Sequence, residues 1–260
     1  YSATEIGIVT PPLLLMAIPF EMSDILLSLA IIGPLAAVIS IIFMKLIIFL
    51  GSIPAKMKLK SWQAPVIAGF ACGLCGMIFS EILGLGTEVL ISVITSQKVL
   101  VYLLALLIGK LVLTSICIGF GFFGGMFSPA LFLGGILGAI VFHLPITSLN
   151  PDLLSVLSVS GMAAVSSSVI GAPITAIILV LELTGSYEYA IAATFPIVIC
   201  SFITSRTFAN SVFDKQLMSR GVAITKGREQ IRLNEALIKN YVDNNYTKLR
   251  PTTSIESAVK

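Results

Sequence analysis

Long apolar segments with almost no charge constrain this chain more than any other feature of its sequence. The first runs from residue 25 to residue 50 and contains a single charged residue, Lys45. About 20 apolar residues are enough for an α-helix to cross the hydrocarbon core of a bilayer. Comparable runs recur at residues 64–83, 98–118, 127–143, 153–170 and 189–204. Because helices satisfy their own backbone hydrogen bonds in lipid, the sequence predicts an all-α, polytopic membrane protein.

Composition and charge agree with this prediction. Charged residues make up 11% of the chain, whereas a soluble globular domain has about 25%. Ten of the 16 basic residues lie between residues 206 and 260, and three more are Lys56, Lys58 and Lys60. Since Lys and Arg are enriched on the cytoplasmic side of membrane proteins, we expect the C-terminal tail and the loop near residue 58 to be cytoplasmic. The tail mixes acidic with basic residues and lacks an aromatic stacking platform, so no nucleic-acid partner is expected.

Several of the predicted helices are tilted or broken. Residues 25–50 exceed the length that a span requires, which predicts a tilted helix or a kink at Pro34. Residues 153–170 and 172–184 are separated by Gly171-Ala172-Pro173, and the second segment is too short to cross alone. This pattern predicts a broken or re-entrant pair of helices, a device that marks binding regions in transporters.

Small residues within the spans favour close helix packing. Gly134 and Gly138 form a small-xxx-small pair of the kind that lets two helices approach each other. Cys72 and Cys75 have the spacing of a redox or metal motif. No second cysteine pair and no nearby histidine or carboxylate completes a zinc site, so no metal is expected and these cysteines are interpreted as packing residues.

A glycine-rich stretch from Gly119 to Pro129 precedes the apolar segment that ends at His143. Four glycines in seven residues do not suit a helix interior, whereas Pro129 suits a first helical position. The amides of Met126 and Phe127 would then point out of the helix N-terminus, which is a candidate anion site. The alternative is a glycine-rich loop at the membrane surface, followed by an ordinary spanning helix.

Four sequence features, in this order, resemble the CLC family of chloride channels and anion/proton exchangers. Gly125-Met126-Phe127-Ser128-Pro129 is similar to the G-x-F-x-P signature of that family. Gly171-Ala172-Pro173-Ile174-Thr175-Ala176 leads into a segment that ends at Glu182, and Ser211-Val212-Phe213-Asp214 follows the last span. A soluble tail comes after them. The resemblance extends roughly over residues 20 to 260.

The resemblance implies a specific anion site. Its residues would be Gly125, Met126, Phe127, Ser128 and Pro129, with the amides of Met126 and Phe127 as donors to the anion. Many members of the family have a tyrosine hydroxyl at the position of Phe213. Because a phenyl ring cannot donate a hydrogen bond, Phe213 is expected only to line the site, or else to pack as an ordinary apolar residue.

The resemblance also implies that the chain is the second half of an inverted-repeat CLC membrane domain. The G-S-G-I-P and G-R-E-G-P motifs of the first half do not occur here; Gly227-Arg228-Glu229 is followed by Gln230. The gating glutamate and the usual internal proton carrier are therefore expected outside this chain. The assembly implied is a homodimer, near whose interface Glu182 could lie.

The expected domain organisation has three parts. Residues 1–222 form the membrane domain, residues 223–240 a cytoplasmic connecting segment, and residues 241–260 the start of a truncated CBS domain. The last assignment depends on a stretch from Arg250 to Ala258 that resembles a CBS opening, and a disordered polar tail is the alternative. The membrane domain is expected to need no cofactor, whereas a complete CBS module could bind an adenosine nucleotide.

Lys110 is the one ionisable residue in the middle of a predicted span. Such residues are costly in lipid and are usually functional or paired. Its functional interpretation is a positive potential along an anion pathway. Its structural interpretation is an ion pair with Glu88 or Glu182.

The predicted function is transmembrane transport of chloride or a similar small anion, by a channel or an anion/proton exchanger. A secondary transporter for an organic anion is the alternative, although the spans offer no large polar lining. An intramembrane enzyme is not expected, because the chain has neither His-Glu-x-x-His nor Gly-x-Ser-x-Gly and contains a single histidine, His143.

Overall fold

The computed structural model describes residues 22–60, 62–95, 98–122, 124–144, 152–208 and 211–219. The regular structure in these ranges is entirely helical. The described residues up to Gln216 belong to one compact unit. The expected connecting segment and CBS start, at residues 223–260, lie outside the described residues. The helices are α1 (Met22–Lys56), α2 (Gln63–Ile78), a short 3-10 helix (Ser80–Ile82), α3 (Thr87–Thr95), α4 (Leu100–Gly119), α5 (Phe127–Phe142), α6 (Asp152–Ile170), α7 (Pro173–Thr184), α8 (Tyr187–Thr207) and α9 (Val212–Ser219).

Among the described residues, four helical segments are long and apolar enough to cross a membrane, and they fall on α1, α4, α6 and α8. The apolar helices α2, α5 and α7 are shorter. Large apolar side chains point outward from several helices; for example, Val101 is 74% exposed and Ile174 is 72% exposed. An apolar exterior of this extent suits lipid or a protein partner rather than water. The predicted polytopic, all-helical architecture is confirmed for the described part of the chain.

Helix α1 is longer than the sequence predicts. It continues past Leu50 and includes Pro54 before it ends at Lys56. Glycines bring its last turns against the end of α4, since a Cβ built on Gly119 would lie 2.9 Å from the backbone nitrogen of Gly51. Proline removes one intrahelical hydrogen bond, so the local sequence at Pro54 does not indicate this continuation.

The predicted break between α6 and α7 is present. Helix α6 ends at Ile170, Gly171 has a φ of 81°, and Pro173 is the first residue of α7. A left-handed φ favours glycine, and proline suits the first helical position. Helix α7 then ends at Thr184 and is followed by Gly185, another left-handed glycine, whose amide donates to the carbonyl of Leu181 at 2.8 Å.

Helix α6 lies at the centre of the core, and almost all of its side chains are buried. Gly134 and Gly138 of α5 face it, so closely that an added Cβ would collide with the backbone at Gly161 and Leu157, respectively. The predicted small-residue packing is therefore confirmed. Three serines near the end of α6 have hydroxyl hydrogen bonds, and Ser168 donates to Thr204 of α8 at 2.8 Å. The buried hydroxyls of Ser158 and Ser160, in the middle of the helix, have no partner.

Candidate anion site

The connection between α4 and α5 is irregular, as the glycine content predicts. Helix α4 ends at Gly119, and Gly121 has a φ of 95°, which favours glycine. Helix α5 begins at Phe127, preceded by Met126 with φ −84° and ψ −14°. Pro129 is thus the third residue of α5 instead of the first. Its missing N-H still costs no intrahelical bond, because the first turn of a helix has no acceptors for its amides.

The start of α5 leaves backbone donors without helical partners. The amide of Ala130 donates to the carbonyl of Met126 at 3.2 Å. The amides of Phe127 and Ser128 precede that bond and have no i−4 carbonyl within the helix. Gly124 and Gly125 are exposed, and a Cβ on either would meet nothing within 4 Å. Open space therefore adjoins this N-terminus, where partial positive charge favours an anion.

A cavity of about 370 Å³ lies beside this helix start. Gly124, Gly125, Ser128 and Pro129 form one side of it. The Ser128 hydroxyl is 3.4 Å from the carbonyl of Leu85, to which it donates. The rest of the wall is contributed by α2, α4 and the turn after the 3-10 helix, through residues Cys72, Ile82, Leu83, Gly84, Leu85, Lys110, Leu113, Thr114, Cys117, Ile118 and Phe122.

Lys110 lines the same cavity and is only 3% exposed. Its ammonium donates to the carbonyl oxygens of Ile82 at 2.8 Å and Gly84 at 2.7 Å. It also lies 4.9 Å from the centre of the Phe132 ring. In the described part of the chain these partners are all neutral, and the proposed ion pair with Glu88 or Glu182 is not formed. A buried positive charge without a carboxylate partner is unfavourable, and an anion bound beside it would stabilise it.

The other predicted site residues lie apart from this cavity wall. The Met126 side chain packs against the hydrophobic core. Phe127 is 40% exposed and lines a separate cavity of about 50 Å³ with Ser166 and Ser167 of α6. Phe213 is 45% exposed on α9 and is not among the residues that line the 370 Å³ cavity. The structure thus brings Gly125, Ser128 and Pro129 together with Lys110, while Phe213 lies elsewhere.

A second polar cavity, of about 520 Å³, adjoins the break between α6 and α7. Sequence reasoning did not identify it, because its hydroxyl groups come from separate helices and form no motif. The only signals were the break itself and Asp214, the last residue of Ser211-Val212-Phe213-Asp214. Its lining includes Ser167, Ser168, Gly171, Ser201, Thr204, Ser205 and Asp214.

The fold and the cavity define a polytopic membrane protein with discontinuous helices, an architecture that transporters use around their binding sites. Residues 5–206 match the family model described as voltage gated chloride channel. The chain belongs to this family.

Curated relatives and a solved structure are consistent with this family assignment. The H(+)/Cl(-) exchange transporter ClcA of Vibrio parahaemolyticus is 30% identical over 169 residues, which cover 63% of this chain and 35% of the relative. ClcA of Vibrio vulnificus is 29% identical over 210 residues, covering 77% and 44%. The crystal structure of a slow cyanobacterial Cl-/H+ antiporter has a TM-score of 0.58 and 21% identity, covering 78% of this chain and 48% of that one. This chain therefore spans less than half the length of these relatives, and the structural likeness shows the fold.

Proposed function

We propose that this chain forms part of the anion pathway of a CLC-type chloride channel or anion/proton exchanger. The observation that carries the proposal is the 370 Å³ cavity, because both the start of α5 and the buried ammonium of Lys110 face it. The relatives named as H(+)/Cl(-) exchange transporters support the same assignment.

Two kinds of donor would replace the hydration shell of chloride. Transfer of a small anion from water into an apolar interior costs many kcal/mol unless fixed dipoles solvate it. Amides at the start of α5 supply such dipoles without a full countercharge, so the anion is bound weakly enough to leave. Lys110 adds positive potential, moderated by the two carbonyls that already accept from its ammonium.

The composition of the cavity wall favours a small inorganic anion over an organic one. Lys110, Thr114 and Ser128 contribute polar side chains other than thiols, and the remaining lining is mostly aliphatic or glycine. An organic anion requires several placed polar groups to fix its orientation. Chloride requires only convergent donors.

We further propose that the native protein is a homodimer in a lipid bilayer, with a cytoplasmic C-terminal tail. Outward apolar residues on α7 and α8 support a surface that faces lipid or a second copy; Ile178 is 60% exposed and Val198 is 59% exposed. The concentration of basic residues after residue 206 supports a cytoplasmic tail. A complete CBS module on that tail would be the site for an adenosine nucleotide. Light scattering of the protein in detergent, corrected for bound detergent, tests the dimer.

A proline substitution tests the role of the amides at the start of α5. Met126 has a φ of −84°, close to the roughly −65° that proline imposes, and the preceding Gly125 has no Cβ to clash with the proline ring. Met126→Pro therefore removes one N-H with little strain. Hydrogen bonds to charged groups are worth about 1.5–3 kcal/mol, so we expect the chloride affinity to fall at least about tenfold. Calorimetry on the native polypeptide that contains this chain measures the change.

Met126→Leu is the matched control, since it keeps the amide and alters only the side chain. We expect it to bind chloride as the unmodified protein does. Equal chloride affinities for Met126→Pro and Met126→Leu, with both proteins folded, would contradict the amide site.

A further inference from the structure

The second cavity, of about 520 Å³ beside the break between α6 and α7, has a wall of opposite charge to that of the anion cavity. Asp214 is the charged residue among the described residues that line it, and no described lysine or arginine does so. Asp214 lies in the first turn of α9, where its backbone amide donates to the hydroxyl of Ser211 at 3.1 Å. Its carboxylate forms no ion pair or hydrogen bond with the described part of the chain. A negative charge without a partner in these residues therefore lines the cavity.

Helix ends of both signs adjoin this cavity. Gly171 directly follows the C-terminal end of α6, and Thr204 and Ser205 lie in the last turn of α8. Pro173 and Asp214 come from the first turns of α7 and α9. Helix C-termini favour cations and helix N-termini favour anions, so the four ends largely offset one another. The Asp214 carboxylate consequently determines the sign of the charge that this cavity attracts.

Five hydroxyl groups line the same cavity, and four of them already donate their proton within the protein. Ser168 donates to Thr204 at 2.8 Å, and Thr204 donates to a carbonyl of its own helix at 2.8 Å. Ser167 and Ser205 also donate to carbonyls of their own helices, at 2.9 and 3.0 Å. A hydroxyl that has donated its single proton can only accept from, or coordinate, another group. These four oxygens thus offer lone pairs to the cavity.

The fifth hydroxyl, that of Ser201 on α8, is buried and has no hydrogen-bond partner in the described part of the molecule. A buried polar group without a partner is unfavourable unless a bound group satisfies it. Its oxygen is therefore available as a further ligand in a wall that is otherwise rich in acceptors.

We propose that this cavity binds a hard monovalent cation, such as sodium, through the Asp214 carboxylate and the surrounding hydroxyl oxygens. Hard cations are coordinated by oxygen ligands of these kinds. One carboxylate balances one positive charge, whereas a divalent ion would keep an excess charge in an apolar surrounding. An anion would face a carboxylate and lone pairs. Lys110 does not line this cavity, so the inference is independent of whether the protein conducts chloride.

Sodium-dependent stability tests the proposal without any transport assay. The native polypeptide in detergent is unfolded by heat at fixed chloride concentration and ionic strength, while sodium replaces N-methyl-D-glucamine. This organic cation is not coordinated by oxygen ligands as a metal ion is. Because a ligand that binds only the folded state stabilises it, we expect a saturable rise of the unfolding midpoint with sodium. Equilibrium dialysis with radioactive sodium measures the affinity directly.

Three variants locate the site. Asp214→Asn removes the charged ligand and should lower sodium affinity at least about tenfold, whereas Ser201→Ala removes a neutral ligand and should lower it about twofold to tenfold. Glu188→Gln is the matched control, since it removes a carboxylate from an exposed position of α8 outside the cavity lining and should leave sodium affinity unchanged.

Two results would overturn the proposal. One is an unfolding midpoint that is the same in sodium and in N-methyl-D-glucamine, which would mean that the cavity holds water only. The other is a folded Asp214→Asn protein that binds sodium as the unmodified protein does. If Asp214→Asn does not fold, unchanged sodium affinity in Ser201→Ala would contradict the site in its place.

Discussion

Lys110 is the only charged side chain that is fully buried in the part of the chain that the structure describes. Two carbonyls and an aromatic ring hold its ammonium, and these groups orient the charge without neutralising it. An ammonium has three donors, so the two carbonyl bonds leave one for an anion in the cavity. Lys110 thus both anchors the turn at residues 82–84 and supplies positive potential.

Removal of this charge should weaken anion binding. At an effective dielectric constant of about 20, a unit charge about 4 Å away contributes about 4 kcal/mol. Loss of even a third of this energy lowers affinity about tenfold. We therefore expect Lys110→Gln to bind chloride at least about tenfold more weakly in calorimetry, and to unfold at a lower temperature because its carbonyl partners lose a charged donor.

Two matched variants control for folding and for net charge. Lys110→Arg keeps the charge and should retain most of the chloride affinity. Lys45→Gln removes a charge from α1 at an exposed position outside the cavity lining and should leave affinity unchanged. If Lys45→Gln weakens chloride binding as much as Lys110→Gln does, the local role of Lys110 is wrong.

The sequence places Lys110 in the middle of a span but does not indicate its partners. A lysine in the middle of a span is either functional or paired. Its actual acceptors are backbone carbonyls at residues 82 and 84, more than 25 positions away in the chain. Backbone carbonyls cannot be recognised from residue type, whereas the carboxylates of Glu88 and Glu182 can, and those carboxylates are not the partners.

At the scale of elements, the closest packing is between α5 and α6. Gly134→Ala or Gly138→Ala would place a methyl group against the backbone of α6, which cannot move as a flexible side chain can. Overpacking of this kind costs about 1–3 kcal/mol. We expect either substitution to lower the thermal unfolding midpoint of the detergent-purified protein and to disturb chloride binding, because α5 carries the proposed anion donors at its start.

Gly73→Ala provides the comparison for this prediction. Gly73 lies within α2, and a Cβ there would meet nothing within 4 Å. Alanine in a helix interior is favoured over glycine by about 0.5–1 kcal/mol, so the midpoint should stay constant or rise. If the unfolding midpoint of Gly73→Ala were lower than that of Gly134→Ala, the α5–α6 contact at Gly134 would not be more tightly packed than the surroundings of Gly73.

Local chemistry made the breaks in the helices predictable. Gly171 and Pro173 indicate the α6–α7 break in the sequence. Gly171 adopts a left-handed φ, which favours glycine, and Pro173 is the first residue of α7. The extension of α1 through Pro54 was not predictable from local propensity, because proline usually ends or kinks a helix. Local propensity determines the backbone conformation where a segment has few tertiary contacts, whereas packing can override propensity where such contacts are present.

At the scale of the whole molecule, the described helices carry large apolar side chains on their exterior as well as in their core, unlike those of a soluble protein. Helix α6 buries serines at the centre, while α7 and α8 expose isoleucine and valine. The sequence predicted this arrangement through its long apolar runs, and the family match over residues 5–206 agrees with it. The assembly of the anion cavity was not predictable, because it requires α2, α4 and the start of α5 to converge.

Anion efflux from liposomes is the measurement that tests the proposed function most directly. The native polypeptide that contains this chain is reconstituted into chloride-loaded vesicles, with a protein-free control and the Met126→Pro variant alongside. We predict chloride efflux well above the control, little efflux of gluconate, and a reduced chloride rate for Met126→Pro; proton movement recorded in the same vesicles separates an exchanger from a channel. Chloride efflux no faster than in protein-free vesicles, or gluconate efflux equal to that of chloride, would contradict the account.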